Sequence, residues 1–164
     1  MINGCRERDK LDETIEHVIA RCSSLSESAY RGRHNKMAKT IRQQIAIKCK
    51  PFDRNIAPYC RHKPERVLES ADMISYWDMS IVTDTTVGFN IPDTVLIDRQ
   101  NKTALVTDVA VFLTHKLSSI EAEEIMKYEN LALQIKNIRK LNNVSVYPLV
   151  ISVEGVSAKT FLNI

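Results

Sequence analysis

The sequence predicts an α/β fold, a mixed sheet flanked by helices and preceded by a small, basic helical module. Residues Asn90 to Phe112 read as two apolar strands joined by a polar turn, Asp98 to Lys102, which is the pattern of a β-hairpin. Residues Ser118 to Leu141 repeat apolar side chains at helical spacing. Val144 to Val153 is a nearly continuous apolar run, as in a strand buried on both faces. With 164 residues, 44% of them hydrophobic, the chain can bury one real core and a small appendage.

Taken in order, residues 1–50 form the N-terminal module. The tract D-E-T-I-E-H-V-I-A-R-C opens with acids and places Ile15, Val18 and Ile19 at helical spacing, so His17 and Cys22 lie on or just after a short helix. Cys5, His17 and Cys22 are soft ligands whose last pair has the H-x4-C spacing of a zinc knuckle. Structural zinc takes four ligands, so the fourth comes from His34, Cys49 or Cys60, or is missing. Asn35 to Cys49 is predicted as a basic amphipathic helix, with Asn35 as cap and Met37, Ile41 and Ile45 on its apolar step. Residues 51–66 hold Pro51, Pro58 and Pro64 without periodicity and read as a linker, with Cys60 and His62 as isolated exposed side chains. From Val67 the pattern turns to strands: one within Asp72 to Val82, a short apolar piece from Thr86 to Asn90, then the hairpin. In the long helix Ser119 is the expected cap, and Ile125, Tyr128, Leu131, Ile135, Ile138 and Leu141 the buried stripe.

Composition narrows the class of function. No run of about 18 apolar residues occurs, and the first residues lack a signal peptide's hydrophobic stretch, so a soluble, intracellular protein without a membrane partner is expected. In a reducing compartment the four cysteines are thiols or metal ligands rather than disulfides. The net charge of +3 conceals an asymmetry: Arg31 to Arg66 carries eleven bases against two acids, while Ala71 onward carries eight bases against eleven acids. A basic arm formed by Arg31, Arg33, His34, Lys36, Lys39 and Arg42 suits a nucleic-acid backbone, and the acidic remainder suits metal-assisted chemistry. The plainer explanation of the same charges is a solvated helix face.

Two acids interrupt the hairpin's apolar pattern, Asp93 at the start of the first strand and Asp108 midway along the second. Side chains alternate along a strand, so Ala104, Val106, Asp108, Ala110 and Phe112 share one face, where an unpaired carboxylate is unfavourable. Singly, each Asp can cap a turn or be satisfied by backbone amides. As a neighbouring pair, the two repel unless a cation lies between them, and hard oxygen ligands of this kind suit Mg²⁺ or Mn²⁺. Pro-Asp, fourteen residues, then Asp is the spacing of the PD-(D/E)xK nuclease superfamily, except that Ala110 stands where its lysine is usual. Lys127 borders the buried stripe of the long helix and can reach back to the acids or pair with Glu123 at i,i+4.

The ordered set E-T-I-E-H-V-I-A-R-C, R-G-R-H-N, Y-W-D-M-S-I-V-T-D, P-D-T-V-L-I-D, A-L-V-T-D-V-A, K-Y-E-N-L and P-L-V-I-S-V-E-G spans nearly the whole chain. It resembles the C-terminal zinc-knuckle and restriction-like endonuclease region of the polyprotein of arthropod site-specific non-LTR (LINE-like) retrotransposons. The resemblance implies a PD-(D/E)xK-like core with Asp93 and Asp108 as Mg²⁺ ligands and Lys127 as a catalytic lysine moved from strand to helix. It implies zinc at Cys5, His17 and Cys22, three of the four knuckle ligands, with the chain beginning inside that motif as a 5′-truncated copy. It also implies nicking of DNA to prime reverse transcription, with the element's RNA as a second polyanion, a nuclear site of action and no small-molecule substrate. Ile91 replaces the basic residue usual before Pro-Asp. The alternative is a nucleic-acid-binding remnant without catalysis.

Overall fold

The computed structural model describes residues 31–48 and 65–157. Their order is helix α1 (Arg31–Lys48), strands β1 (Val67–Glu69), β2 (Met73–Trp77), β3 (Thr94–Asp98), β4 (Thr103–Thr107) and β5 (Val109–Phe112), a 3₁₀ turn (Thr114–Lys116), helix α2 (Leu117–Arg139), and strands β6 (Asn143–Val146) and β7 (Leu149–Ser152). A five-stranded mixed sheet runs β1-β2-β3-β4-β6, antiparallel except for the parallel β4·β6 pair, and β5 pairs with β7 in a parallel two-stranded sheet. The α/β class with a mixed sheet and flanking helices is therefore as expected.

Alternation sets what the sheet buries. Ile74, Ile97 and Ala104 form one row across the strands and Val95 and Val106 the next, all on the face covered by Tyr128, Leu131 and Ile135 of α2. Beyond the bend, β5 is covered on both sides. Val109 and Val111 meet Ala38 of α1, while Ala110 and Val150 meet Leu117 at the start of α2. Burial on both faces explains why this part of the sequence is apolar without alternation.

Each predicted strand of the central region is shorter or divided. The second hairpin strand breaks at Asp108, and the run from Val144 to Val153 breaks at Tyr147 and Pro148. The register does not change across the break, since Val106 lies opposite Val146 and Val109 opposite Leu149. Proline has no N–H for the ladder, so Pro148 interrupts pairing at the level of Asp108. Flanking bonds hold the two strands together there: Tyr147 N–H donates to Val106 O at 2.9 Å and Leu149 N–H to Asp108 O at 2.8 Å. The strand expected within Asp72 to Val82 ends at Trp77, and Thr86 to Asn90 forms no strand. Residues 78–93 instead form a loop closed on itself, with Asp78 N–H donating to Asp93 O at 3.0 Å and Ile81 N–H to Asn90 O at 2.8 Å.

The helices also depart from their sequence limits. α1 begins at Arg31, so Asn35 lies inside it and caps nothing. Its buried side chains are Ala38, Arg42, Gln43 and Ala46, and Met37 and Ile41 of the expected stripe pack half-buried against the cluster that holds Ala38. α2 is preceded by Lys116 rather than capped by Ser119, whose hydroxyl donates back to Lys116 O at 3.0 Å. The helix ends at Arg139, where Lys140 takes the left-handed conformation and its N–H closes the last turn. Ile138, expected to be buried, is 37% exposed in the last turn, while Leu131 and Ile135 are buried in the core cluster.

Candidate metal and nucleic-acid site

Asp93 and Asp108 come together because of the hairpin. β3 and β4 pair Thr94 with Thr107, and one step further brings the two acids side by side where β3 begins and β4 ends. Their carboxylates are held reciprocally: Asp93 N–H donates to Asp108 Oδ1 at 3.0 Å, and Val109 N–H donates to Asp93 Oδ2 at 2.8 Å. The backbone-amide reading of these residues is thus realised, and the hairpin sets the two acids side by side. Each acid is fixed by an amide and still presents lone pairs to other partners.

Lys127 comes from the helix opposite. Its Nζ donates to Asp108 Oδ2 at 2.9 Å and to Glu124 Oε2 at 2.8 Å. The competing surface pair with Glu123 does not form; the acid one turn back is Glu124, half-buried on the same helix face. Burial opposes the ammonium charge, but the bonds to Glu124 and Asp108 prevail and hold its pKa above the usual lysine range. Burial pushes Glu124 up from the usual carboxylate range, against the pull of Lys127. Tyr128, raised by burial and then by the Asp108 charge, sets its ring 4.7 Å from the ammonium and donates its hydroxyl to Ile91 O at 3.4 Å.

His34, expected to face nucleic acid with its neighbours, lies at the acids instead. Its Nε2 is 3.3 Å from Asp93 Oδ2 and its Nδ1 3.2 Å from Asn35 Oδ1. The hydrogen bond to Asp93, opposed by burial, pushes its pKa up to about 9 from 6.5. The folded-state pKa lies above the unfolded one, so the stability this pair contributes is fully present below about pH 6.5 and lost as pH rises through about 9. In metal-free protein, melting temperature should fall across that window for the wild type, and His34→Ala should flatten that part of the profile.

The other basic residues separate. Arg31, Lys36 and Lys39 are exposed on α1, and Arg33 is partly covered. Arg42 is not available to DNA: it is 1% exposed, and its Nη1 donates to the hydroxyl of buried Ser75. The charge count could not show this, because it does not say which helix face the sheet covers. Arg42→Ala is expected to destabilise the fold by about 2 kcal/mol or more through the lost buried hydrogen bond and packing. Lys39→Ala should leave the melt unchanged, and on the expectation that the arm holds a nucleic acid it should lower the salt dependence of that binding, read by anisotropy over a salt series.

Cys5, His17 and Cys22, with Cys49, Cys60 and His62, lie outside the described residues. Among the described residues, no three of His, Cys, Asp and Glu converge as a metal cage. Asp93 and Asp108 nonetheless fit a cation such as Mg²⁺, which keeps several waters and needs one or two carboxylates besides substrate phosphate. No helix among the described residues is long and apolar enough to cross a membrane. Comparison with protein-family models gives no match, and comparison with curated proteins gives no significant one.

Proposed function

We propose that this chain is a Mg²⁺- or Mn²⁺-dependent DNA endonuclease domain with a PD-(D/E)xK-like core, from the polyprotein of a non-LTR retrotransposon, nicking its target in the nucleus to prime reverse transcription. The observation that carries the proposal is Lys127 reaching Asp108 from α2 at 2.9 Å, while Ala110 occupies the strand position usual for such a lysine. A structural ion pair would not require a further carboxylate, Asp93, at the same point, fixed together with Asp108 by reciprocal amides.

Asp93 and Asp108 would hold the cation, which supplies Lewis-acid polarisation of a phosphoryl oxygen and an acidified water. The bonds from Lys127 to Glu124 and Asp108 favour its charged form, which suits a hydrogen-bond donor rather than a base. Its role is to donate hydrogen bonds to charge developing on the phosphate oxygens, or to orient the attacking water. Glu124 keeps that ammonium aimed at the acids. The exposed bases of α1 would hold the DNA backbone, or the element's RNA, without reading sequence. Zinc at Cys5, His17 and Cys22 belongs to the same proposal.

One observation favours the non-catalytic alternative: Lys127 and His34 already neutralise both carboxylates from within the chain. Plasmid nicking decides between them. The endonuclease converts supercoiled plasmid to open circles with Mg²⁺ or Mn²⁺ and not with EDTA. The binding remnant retains DNA equally with and without metal and cuts nothing.

A further inference from the structure

The loop of residues 78–93 runs along the rim of the acid cluster. It is tied at its base by the Asp78 to Asp93 and Ile81 to Asn90 bonds, and Asn90 Nδ2 adds a bond to Ser80 Oγ at 2.9 Å. Ile81 and Val87 pack inward on the core under α2. Phe89 and Ile91 do not; they are 57% and 54% exposed, although burying such a side chain is worth about 1.5–3 kcal/mol. Phe89 is placed rather than loose, since its ring centroid lies 5.6 Å from Lys127 Nζ, the ammonium that bonds Asp108. Tyr128 offers the same ammonium a second ring, but that ring is buried in the core. Phe89 is thus the ring at this site whose face is open to a ligand.

We infer that Phe89, with Ile91 beside it, is a stacking surface for an unpaired nucleobase next to the phosphate that a cation on Asp93 and Asp108 would engage. The preferred substrate is accordingly DNA whose bases are exposed at the cleavage point, as in a single strand, a frayed end or a bulge, rather than closed duplex. The inference deepens the endonuclease proposal and rests on it for the position of the phosphate. The neighbouring charges select the occupant. Lys127 beside the ring and the exposed Arg31, Lys36 and Lys39 on the helix that carries His34 to Asp93 suit a strand bearing both phosphates and flat π-faces, and that combination is how unpaired nucleic acid is bound. A closed duplex keeps its base faces stacked on one another and cannot use the ring.

The test is equilibrium binding, in Ca²⁺ as a hard cation that the carboxylates can take and with strand integrity checked on a denaturing gel, of the full chain to a 2-aminopurine-labelled oligonucleotide, single-stranded and as its duplex. The wild type should bind the single strand more tightly and quench its fluorescence. Phe89→Ala should lose about 5- to 100-fold in single-strand affinity, the worth of one stacked base, together with the quenching. Its duplex affinity should change less than about twofold, and Phe89→Tyr, which keeps the ring, should restore both signals. Unchanged single-strand affinity and quenching in Phe89→Ala, or equal loss on both substrates, overturns the inference. Failure of the endonuclease reading appears separately, as wild-type protein that shows this binding pattern yet nicks no DNA with any metal.

Discussion

Asp108→Asn is expected, on the endonuclease proposal, to reduce Mg²⁺-dependent nicking by about a hundredfold or more, the usual consequence of removing one preorganised electrostatic group. Asparagine can keep the bond from Asp93 N–H, made at 3.0 Å to Oδ1 in the wild type, but it removes the charge that a divalent ion and Lys127 both require. With that bond kept the new NH2 faces Lys127, which can turn to Glu124 at 2.8 Å, so the loss of stability should be about 1–2 kcal/mol. Asp108→Ala is the poorer variant, because it also strands the amide of Asp93 at a further loss of about 1–3 kcal/mol. Paired measurements of nicking rate and thermal melt separate the two effects: Asn should lose activity with the smaller fall in melting temperature, and Ala should lose both.

The largest change in stability is expected from Leu131→Ala. Leu131 is fully buried, between Tyr128 and Ile135 on α2 and against Val95, Ile97 and Val106 of the sheet. It stands one turn beyond Lys127, so the cavity would open beneath the segment of helix that carries the ammonium to Asp108. Leu→Ala at such a site removes about 3 kcal/mol, and for a domain of this size melting should fall by roughly 10 °C. Leu133→Ala, on the exposed side of the same helix, should lie within about 0.5 kcal/mol of wild type and serves as the control. Melts read by circular dichroism check both.

The hairpin and the meeting of its two acids were legible because period-two alternation and a short polar turn fix register from local sequence. Lys127 was legible only as a side chain at the border of the buried stripe. Whether it turned to Glu123 or to the acids depended on how α2 lies across the sheet, which periodicity does not encode. Glu124 carries only a weak signal, an acid three residues before a lysine at the core border, where spacing equally favours the i,i+4 partner Glu123. His34 was grouped with the basic arm because α1 was expected to start at Asn35; the extra turn from Arg31 carries it to Asp93. Arg42 misled for the opposite reason, since charge ordinarily marks the solvent side and here the hydroxyl of Ser75 receives it beneath the helix. The division of both long apolar runs was marked in the sequence by Asp108 and Pro148, but only their parallel pairing at one level shows that the two interruptions are a single bend.

The most direct test of the proposed site is the single-turnover rate of plasmid nicking by Lys127→Ala beside the wild type, in saturating Mg²⁺. The expected result is metal-dependent nicking by the wild type and a loss of about a hundredfold in Lys127→Ala, with metal affinity little changed and partial recovery in Lys127→Arg. Nicking by Lys127→Ala at the wild-type rate would reduce the lysine to a structural partner of Asp108. The absence of nicking by the wild type with Mg²⁺ or Mn²⁺ would contradict the endonuclease itself.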